Sequence, residues 1–289
     1  MPEKPVKKKR IWAVAAIALA AFLAFWLYPR PLTATSYEVR AEVTAPLRIV
    51  QLADLHSKRF GQDNAKLIAL VSEQEPDLIF MTGDMIKKDE AGLSGICDLV
   101  SALSGIAPVY YSFGNSETAR MSASDEDLPK ALTDAGARVL ELRYDDVEVN
   151  GQALRIGGYS GYYRTPQMET GDERLMAEKL AFADDFENTA RQKLLLAHVA
   201  TSWTDWERID DHPVGVVFCG HYHGGQIRLP VIDRGLYAPY VGWFPEYTKG
   251  VFEGDCAVCV LSAGLGSDGP IPRIYDPPEI VTVDLVPNV

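Results

Sequence analysis

Carboxylate, imidazole and amide side chains follow several short apolar runs of this sequence, at the points where the runs end. The side chains concerned are Asp54, His56, Asp84, Asn115, His198, His221 and His223. Such side chains are ligands that divalent metal ions accept in proteins. Burying two aspartates together with four imidazoles would be costly unless a cation paired them. The sequence therefore predicts a divalent-metal site.

The spacing within two of these groups predicts a shared orientation. Asp54 and His56 are two residues apart, as are His221 and His223. In extended backbone, side chains two apart point to the same face. Any one of these elements alone is more often a hydrogen-bonded structural feature, so the prediction rests on all of them together. The remaining histidine, His212, lies in an acidic stretch and is interpreted as solvated surface.

Short apolar and β-branched runs predict the strands that must position these side chains. The predicted strands are Leu47–Leu52, Leu78–Thr82, Val109–Phe113, Ala153–Gly157, Leu194–Ala197, Gly215–Cys219, Ala257–Leu261 and Ile280–Leu285. Helical periodicity predicts helices over Asn64–Glu75, Glu90–Ala102 and Asp127–Ala135. The alternation favours an α/β core with parallel strands. In such a core the loops beyond the carboxyl ends of the strands converge on one edge, which is where the polar residues stand.

The order of these motifs resembles that of the calcineurin-like metallophosphoesterase superfamily. The motifs are D-x-H at Asp54 and His56, G-D at Gly83 and Asp84, G-N at Gly114 and Asn115, His198, and G-H-x-H from Gly220 to His223. The tail is similar to that of the membrane-associated bacterial branch over Gly220–Pro230, Ser262–Gly266 and Ile271–Ile280. The resemblance implies an α/β fold, a metallophosphoesterase-type β-sandwich of two mixed sheets flanked by helices.

The resemblance also implies a centre of two divalent metal ions of the manganese, iron or zinc type. The implied ligands are Asp54, His56 and His223 for one ion, Asp84 as a bridge, and Asn115, His198 and His221 for the other. Independently of the resemblance, two cations about 3.5–4 Å apart can hold a bridging hydroxide for in-line attack on phosphorus. They also neutralise charge that develops on the phosphoryl oxygens.

Ser116 departs from the pattern of many relatives, which have a histidine directly after the asparagine. That histidine is thought to protonate the leaving oxygen, whereas a serine hydroxyl is a poor acid near neutral pH. Ser116 therefore occupies the general-acid position without supplying an effective acid. Relatives that act on diphosphate-linked lipid-sugar nucleotides also lack the histidine. We expect phosphoanhydrides or aryl esters to be better substrates than alkyl monoesters.

The N-terminal residues predict a single-pass membrane protein. Residues 11–28 contain no charge and are almost wholly apolar, and about 18 helical residues approach the thickness of a bilayer core. Basic residues before the span predict a cytoplasmic N-terminus and a catalytic domain on the periplasmic or extracellular side. A cleaved signal peptide is the alternative. The predicted organisation is a basic tail over 1–10, a transmembrane anchor over 11–28, a linker over 29–45 and a metallophosphoesterase domain over 46–289.

The net charge of the chain limits the classes of molecule that it is expected to bind. The formal net charge is −12, and residues 1–10 alone contribute +4, so residues 11–289 carry −16. This acidic domain should repel nucleic-acid phosphates, and an anionic substrate would need local positive charge from bound metal.

The four cysteines do not form a zinc-ribbon pattern, and the C-x-x-C of Cys256 and Cys259 is poorly spaced for a disulfide within a strand. They are interpreted as buried thiols.

The leading functional prediction is a di-metal phosphohydrolase that cleaves a phosphodiester or phosphoanhydride, with a phosphate-containing small molecule or a lipid-linked compound as substrate. The lipid part depends on the anchor and on the aromatic segment 237–247, which would otherwise be a packed loop. A broad phosphatase acting on soluble phosphoesters is a second prediction. A catalytically inactive metal-binding scaffold, suggested by Ser116, is a third.

Overall fold

A computed structural model describes residues 11–18, 22, 30–164, 170–204, 209, 211–229, 234–238, 241–267 and 271–288. Residues 11–18 are helical. Within these described ranges, no helix combines the length and the apolar character that crossing a membrane requires. The predicted basic tail 1–10, and residues 19–21 and 23–28 of the predicted anchor, lie outside the described residues.

Two six-stranded sheets make up most of the fold. The strands are β1 Thr33–Ala41, β2 Leu47–Leu52, β3 Leu78–Thr82, β4 Val109–Ser112, β5 Ala137–Val139, β6 Arg143–Val149, β7 Gln152–Gly158, β8 Gln192–Val199, β9 Gly215–Gly220, β10 Arg228–Leu229, β11 Arg234–Gly235, β12 Tyr237–Ala238, β13 Gly242–Trp243, β14 Gly250–Glu253, β15 Ala257–Leu261 and β16 Glu279–Pro287. The helices are α1 Ala65–Ser72, α2 Ser94–Ser104, α3 Asn115–Ala123, α4 Leu128–Asp134 and α5 Glu173–Glu187. Short 3₁₀ turns cover Gln62–Asn64, Ala200–Ser202 and His223–Gly225.

Both large sheets are mixed, as predicted. The first sheet has the order β1-β16-β2-β3-β4-β5, in which β2 to β5 are parallel and β16 is antiparallel to β2. The second sheet has the order β14-β15-β9-β8-β7-β6, with four parallel strands in the centre and antiparallel edge strands. The predicted α/β sandwich of two mixed sheets flanked by helices is confirmed.

The two sheets face each other across an apolar core. Ile49 and Phe80 of the first sheet and Leu196 and Phe218 of the second are fully buried there. The rings of Phe80 and Phe218 meet edge to face, with centroids 5.0 Å apart. The outer face of the first sheet packs on residues of α1, α2 and α4, and that of the second packs on residues of α5. The strands near the middle of each sheet are therefore buried on both faces, which accounts for their uninterrupted apolar runs.

The predicted linker over 29–45 is wrong for residues 33–41. Thr33–Ala41 forms β1, an edge strand that pairs in parallel with β16 over nine residues. Most of its side chains are exposed or half-buried, and only Val39 and Ala41 are buried. Because an edge strand buries few side chains, its sequence lacks the apolar run that would reveal it. The folded domain therefore begins near residue 33 rather than at residue 46.

The cysteine prediction is corrected in one place. Cys219 and Cys259 are buried and Cys97 is half-buried, but Cys256 is exposed in the turn between β14 and β15. All four thiols are free.

The interpretation of His212 as solvated surface is also corrected. His212 is half-buried, because its ring lies against Tyr163 with centroids 5.5 Å apart.

Candidate metal centre

Six of the seven predicted ligands come together where β2, β3, β8 and β9 end. They form two groups that could each hold a metal ion, namely Asp54 with His56 and His223, and Asp84 with His198 and His221. Within each group the potential ligand atoms lie within 4.8 Å of one another. The six residues are buried.

The two groups adjoin each other. His198 Nε2 lies 3.4 Å from Asp84 Oδ2 in its own group and 3.9 Å from Asp54 Oδ1 in the other. His56 Nε2 likewise lies 4.0 Å from Asp54 Oδ1 and 3.7 Å from Asp84 Oδ2. Ligand atoms that share one cation at about 2.1 Å lie roughly 3–4 Å apart, so these separations suit two neighbouring ions.

The backbone route to this arrangement differs from the predicted one. Asp54 and His56 do not lie in extended backbone, since their φ angles are 52° and 46°. His221 and His223, at 76° and 48°, and Asp84, at 53°, are also in the left-handed region. Non-glycine residues rarely adopt this conformation, although Asp and His do so more readily than most. The paired side chains converge through tight turns beyond the strands, and the expectation of extended pairs is wrong.

Asp54 lies in a tightly enclosed position. Its two carboxylate oxygens accept the backbone N–H of His221 at 3.1 and 3.0 Å. A Cβ atom on Gly220 or Gly264 would fall 2.5 or 2.6 Å from atoms of Asp54, so both positions require glycine. Burial raises the pKa of Asp54 to about 7, against the opposing effect of His198. The ionised carboxylate is thus poorly compensated by the protein alone, as expected for a metal ligand.

Asp84 is held by the start of α3. Its Oδ1 accepts the backbone N–H of Ser116 at 2.7 Å, and a Cβ on Gly114 would meet the same oxygen at 2.3 Å. Burial raises the pKa of Asp84, but the adjacent His198 outweighs it and holds that pKa well below the usual range. The carboxylate is therefore available as an anion.

His198 presents one defined nitrogen to the aspartates. Its Nδ1 lies 2.8 Å from the carbonyl oxygen of Thr82, and because a carbonyl can only accept, Nδ1 carries the proton. Nε2 then faces the carboxylates and lies 3.3 Å from His221 Nδ1. Burial lowers the pKa of His198, but Asp84 and Asp54 outweigh it and raise that pKa to about 10. Burial and His198 lower the pKa of His221 to about 3.

The donor set fits a pair of divalent cations. Histidine nitrogens and carboxylate oxygens are ligands for manganese, iron and zinc ions. The Nδ1 atom of His223 is buried and has no hydrogen-bond partner among the described residues. Each triad combines one carboxylate with two imidazoles, and the hydrogen bond from His198 to a backbone carbonyl is the kind that orients a metal-binding imidazole.

Asn115 and Ser116 take different positions from the six buried ligands. Asn115, the first residue of α3, is exposed at the rim of the centre, between two residues whose backbones contact Asp84. Ser116 is buried, and it contacts Asp84 through its backbone N–H.

Glu117 is a site residue that the sequence did not reveal. Its buried carboxylate accepts the backbone N–H groups of Asp84, Met85 and Gly114 at 2.8–2.9 Å and the Tyr111 hydroxyl at 2.7 Å. It thereby joins the loop after β3 to the loop after β4. Burial, followed by the nearby Asp84, raises the pKa of Glu117. The only sequence signal is its position three residues after Gly114, at the start of a helix.

The tail motifs support the loop that carries Asp54. The backbone N–H groups of Leu265 and Gly266 donate to the carbonyls of Ala53 and Asp54. Arg273 donates in turn to the carbonyls of Ala263 and Gly266 at 2.7 and 2.8 Å. The Ser262–Gly266 and Ile271–Ile280 segments are thus packed around the aspartate loop.

Comparison with known proteins places these motifs in a family. The family profile described as calcineurin-like phosphoesterase matches residues 47–225. Phosphodiesterase YaeI of Escherichia coli is 31% identical over 197 residues, which cover 66% of this chain and 65% of YaeI. The uncharacterized metallophosphoesterase YkuE of Bacillus subtilis is 24% identical over 306 residues, which cover 99% of this chain and 98% of YkuE. A solved structure of a dimetal phosphatase from Danio rerio aligns with a TM-score of 0.44 at 10% identity, covering 75% of this chain and 87% of that chain. The chain therefore spans just under two thirds of YaeI and almost all of YkuE.

Proposed function

This chain belongs to the calcineurin-like phosphoesterase family, a family of metal-dependent phosphoesterases, and from that premise we propose its reaction. The protein hydrolyses a phosphodiester or phosphoanhydride with the help of two divalent metal ions. The observation that carries this proposal is the pair of adjoining, fully buried ligand groups at the shared edge of the two sheets.

Seven side chains are assigned to the ions. Asp54, His56 and His223 would hold one ion, Asn115, His198 and His221 would hold the other, and Asp84 would be shared by the two. When bound, the ions neutralise the phosphoryl oxygens and lower the pKa of an attacking water. The protein fixes the positions of the ligands. The His221 N–H orients Asp54, the Ser116 N–H orients Asp84, and the Thr82 carbonyl sets the tautomer of His198.

The environment of Ser116 supports a preference for good leaving groups. Its backbone N–H is engaged by Asp84, and its hydroxyl is a poor proton donor near neutral pH. A leaving oxygen with a low pKa needs no strong acid, so aryl esters and phosphoanhydrides react well and alkyl monoesters react slowly. The name of the relative YaeI, a phosphodiesterase, agrees with a diester as substrate.

A cleft beside His56 supports an anionic substrate. It has a volume of about 440 Å³ and is lined by His56, Ser57, Lys58, Lys87, Ser267 and Arg273. Lys58 and Lys87 are exposed, so they can approach an incoming phosphate. Their positive charge offsets the acidity of the domain as a whole at the place where the substrate must enter.

We further propose that the enzyme is anchored in a membrane. Residues 11–28 cross the membrane once, the N-terminus is cytoplasmic, and the catalytic domain lies on the periplasmic or extracellular side. The substrate is then lipid-linked. Uncharged residue types over 11–28, preceded by a basic tail, support this arrangement.

Hydrolysis of bis(p-nitrophenyl) phosphate by the full chain tests the reaction. We expect turnover with Mn²⁺ that is abolished by a chelator and by Asp84→Ala, and unchanged in the exposed control Asp89→Ala. Metal analysis should find two ions per chain in the unmodified protein and fewer after Asp84→Ala. Two bound ions without any turnover would instead favour the scaffold function that Ser116 suggests. Turnover that survives Asp84→Ala would refute the two-metal reaction.

A further inference from the structure

We propose that the metal-bearing edge of the domain rests on a lipid bilayer through Val241, Trp243 and Phe244, which we call the aromatic tip. The phosphoester that is hydrolysed is then carried by a lipid of that bilayer. This inference rests on the proposed function, and it adds the surface that contacts the bilayer and the orientation of the domain on it.

The aromatic tip is exposed to an unusual degree. In the described part of the domain from residue 30 onward, the large hydrophobic side chains that are exposed are Leu180, Val241, Trp243 and Phe244. Three of these four lie within four residues, with exposures of 48% for Val241, 63% for Trp243 and 73% for Phe244. Clustered exposed apolar side chains mark interaction surfaces, and tryptophan is favoured at the interface between lipid and water.

The backbone holds the tip in place. Phe244 has a φ of 59°, a conformation that is rare for a bulky residue. Its N–H donates to the carbonyl of Leu236 at 2.8 Å, and the ring of Trp243 packs on Tyr237 with centroids 5.4 Å apart. Strained backbone of this kind persists where the surrounding structure requires it. The backbone of Phe244 and the ring of Trp243 are therefore held in a defined position.

The tip is attached to the loop that carries two metal ligands. Leu236, which precedes the hairpin of β12 and β13, donates its N–H to the carbonyls of Gly225 and Ile227 at 3.1 and 2.8 Å. Gly225 and Gly235 are so close that a Cβ on Gly225 would fall 2.4 Å from the Cα of Gly235. The hairpin is thus packed against the His223–Gly225 turn and hydrogen-bonded to it. The tip accordingly lies on the metal-bearing edge.

The described chain that follows the predicted anchor begins at the same edge. The metal ligands lie beyond the carboxyl end of β2, and β16 is antiparallel to β2, so the first residues of β16 lie at that end. β1 is parallel to β16 and pairs Thr33 with Glu279, so β1 also begins there. Arg30 lies over the ring of Tyr275, 4.1 Å from its centroid, and only Pro29 separates Arg30 from the predicted anchor.

These observations select a lipid surface as the occupant. An anchor that enters beside the metal ligands would place that edge, and not the opposite one, against the bilayer. Among the described residues of this edge, the aromatic tip is the exposed apolar cluster that could contact lipid. Lys58 and Lys87 lie in the cleft beside His56, where the phosphate of a lipid would pass toward the ligands. Basic side chains next to a membrane attract anionic headgroups.

Quenching of a fluorophore by brominated lipid tests the orientation. The full chain carries Cys97→Ser and Cys256→Ser, which remove its two accessible thiols. The remaining native cysteines, Cys219 and Cys259, are buried and should not react with the label. A label on Phe244→Cys in vesicles of brominated phosphatidylcholine should be quenched at least about twofold, because the tip inserts at the boundary of the acyl chains. The control is a label on Glu148→Cys, which is exposed at the opposite end of β6 and should not be quenched. Equal quenching at the two positions would overturn the proposed orientation.

The substrate class is tested in vesicles that contain a lipid-linked aryl phosphodiester with a fluorescent leaving group, together with bis(p-nitrophenyl) phosphate. The double variant Trp243→Ser with Phe244→Ser should hydrolyse the lipid about tenfold more slowly, because its contact with the interface is lost. Its rate on the aryl diester should not change. Equal lipid hydrolysis by the variant and the unmodified protein, or no lipid hydrolysis at all beside normal aryl hydrolysis, would overturn the proposed surface and substrate. If the unmodified protein did not hydrolyse the aryl diester, the proposed function would be refuted instead. The quenching experiment would still decide the orientation.

Discussion

At the scale of single residues, the centre depends on side chains whose own backbone is strained. Asp54, His56, Asp84, His221 and His223 all have positive φ angles. Such conformations cost about 1–3 kcal/mol each and persist only where neighbouring structure enforces them. Here the neighbours are glycines that allow close approach and backbone N–H groups that bind the aspartates. Contacts within the protein therefore enforce the conformation of these residues.

Glu117→Gln tests the residue that joins two of these loops. An amide NH₂ in place of a carboxylate oxygen would face the N–H donors of Asp84, Met85 or Gly114, so at least one buried donor would lose its acceptor. We expect the free energy of unfolding to fall by roughly 2–4 kcal/mol, and metal affinity to fall with it. Chemical denaturation and calorimetric titration with Mn²⁺ measure the two effects.

The matched control for this change is Glu148→Gln, an exposed glutamate on β6. It should leave both quantities unchanged within about 0.5 kcal/mol. If Glu117→Gln behaved like the control, the carboxylate would not be what holds the two loops together.

At the scale of elements, the strands that the sequence predicts most accurately are those with both faces covered. The bounds of β2, β3 and β15 are predicted to the residue, because burial on two sides leaves an uninterrupted apolar run. The edge strands β1 and β6 have one face toward solvent, and their mixed composition conceals them.

Val39→Asp tests whether β1 is part of the folded domain. Val39 is fully buried between the sheets, so an unpaired carboxylate there should lower the free energy of unfolding by about 3–5 kcal/mol. The neighbouring Arg40→Ser, on the exposed face, should have little effect. Denaturation of both variants in urea measures the difference. Two variants of equal stability would restore the interpretation of residues 29–45 as a linker.

The predicted site shows a similar division between what local sequence encodes and what only the tertiary structure provides. Residue types and their order predict the six buried side chains that the structure brings together, because strand ends concentrate functional groups at one edge. Their backbone conformations are not visible in the sequence, since the turns are imposed by contacts such as those of Gly264 with Asp54. Glu117 is hidden for the same reason, because its partner Asp84 lies 33 residues away.

At the scale of the whole molecule, removal of metal should lower the thermal stability of the domain. Binding at about 1,000 times Kd contributes about 4 kcal/mol per site, and each kcal/mol shifts the Tm of a domain of this size by about 2–4 °C. We expect chelation to lower Tm by about 10 °C or more, as measured by differential scanning calorimetry. Asp84→Ala should already have the lower Tm and respond little to the chelator. An unmodified protein whose Tm ignores both chelator and added Mn²⁺ would contradict metal binding at the buried groups.

The loops that bear the ligands come from both sheets. Asp54, His56 and Asp84 follow strands of the first sheet, whereas His198 lies at the end of β8 of the second sheet and His221 and His223 follow β9. An ion held between them would cross-link the two sheets at that edge. Filling of the centre should therefore stabilise the sandwich as a whole, and not only the loops that hold the ion.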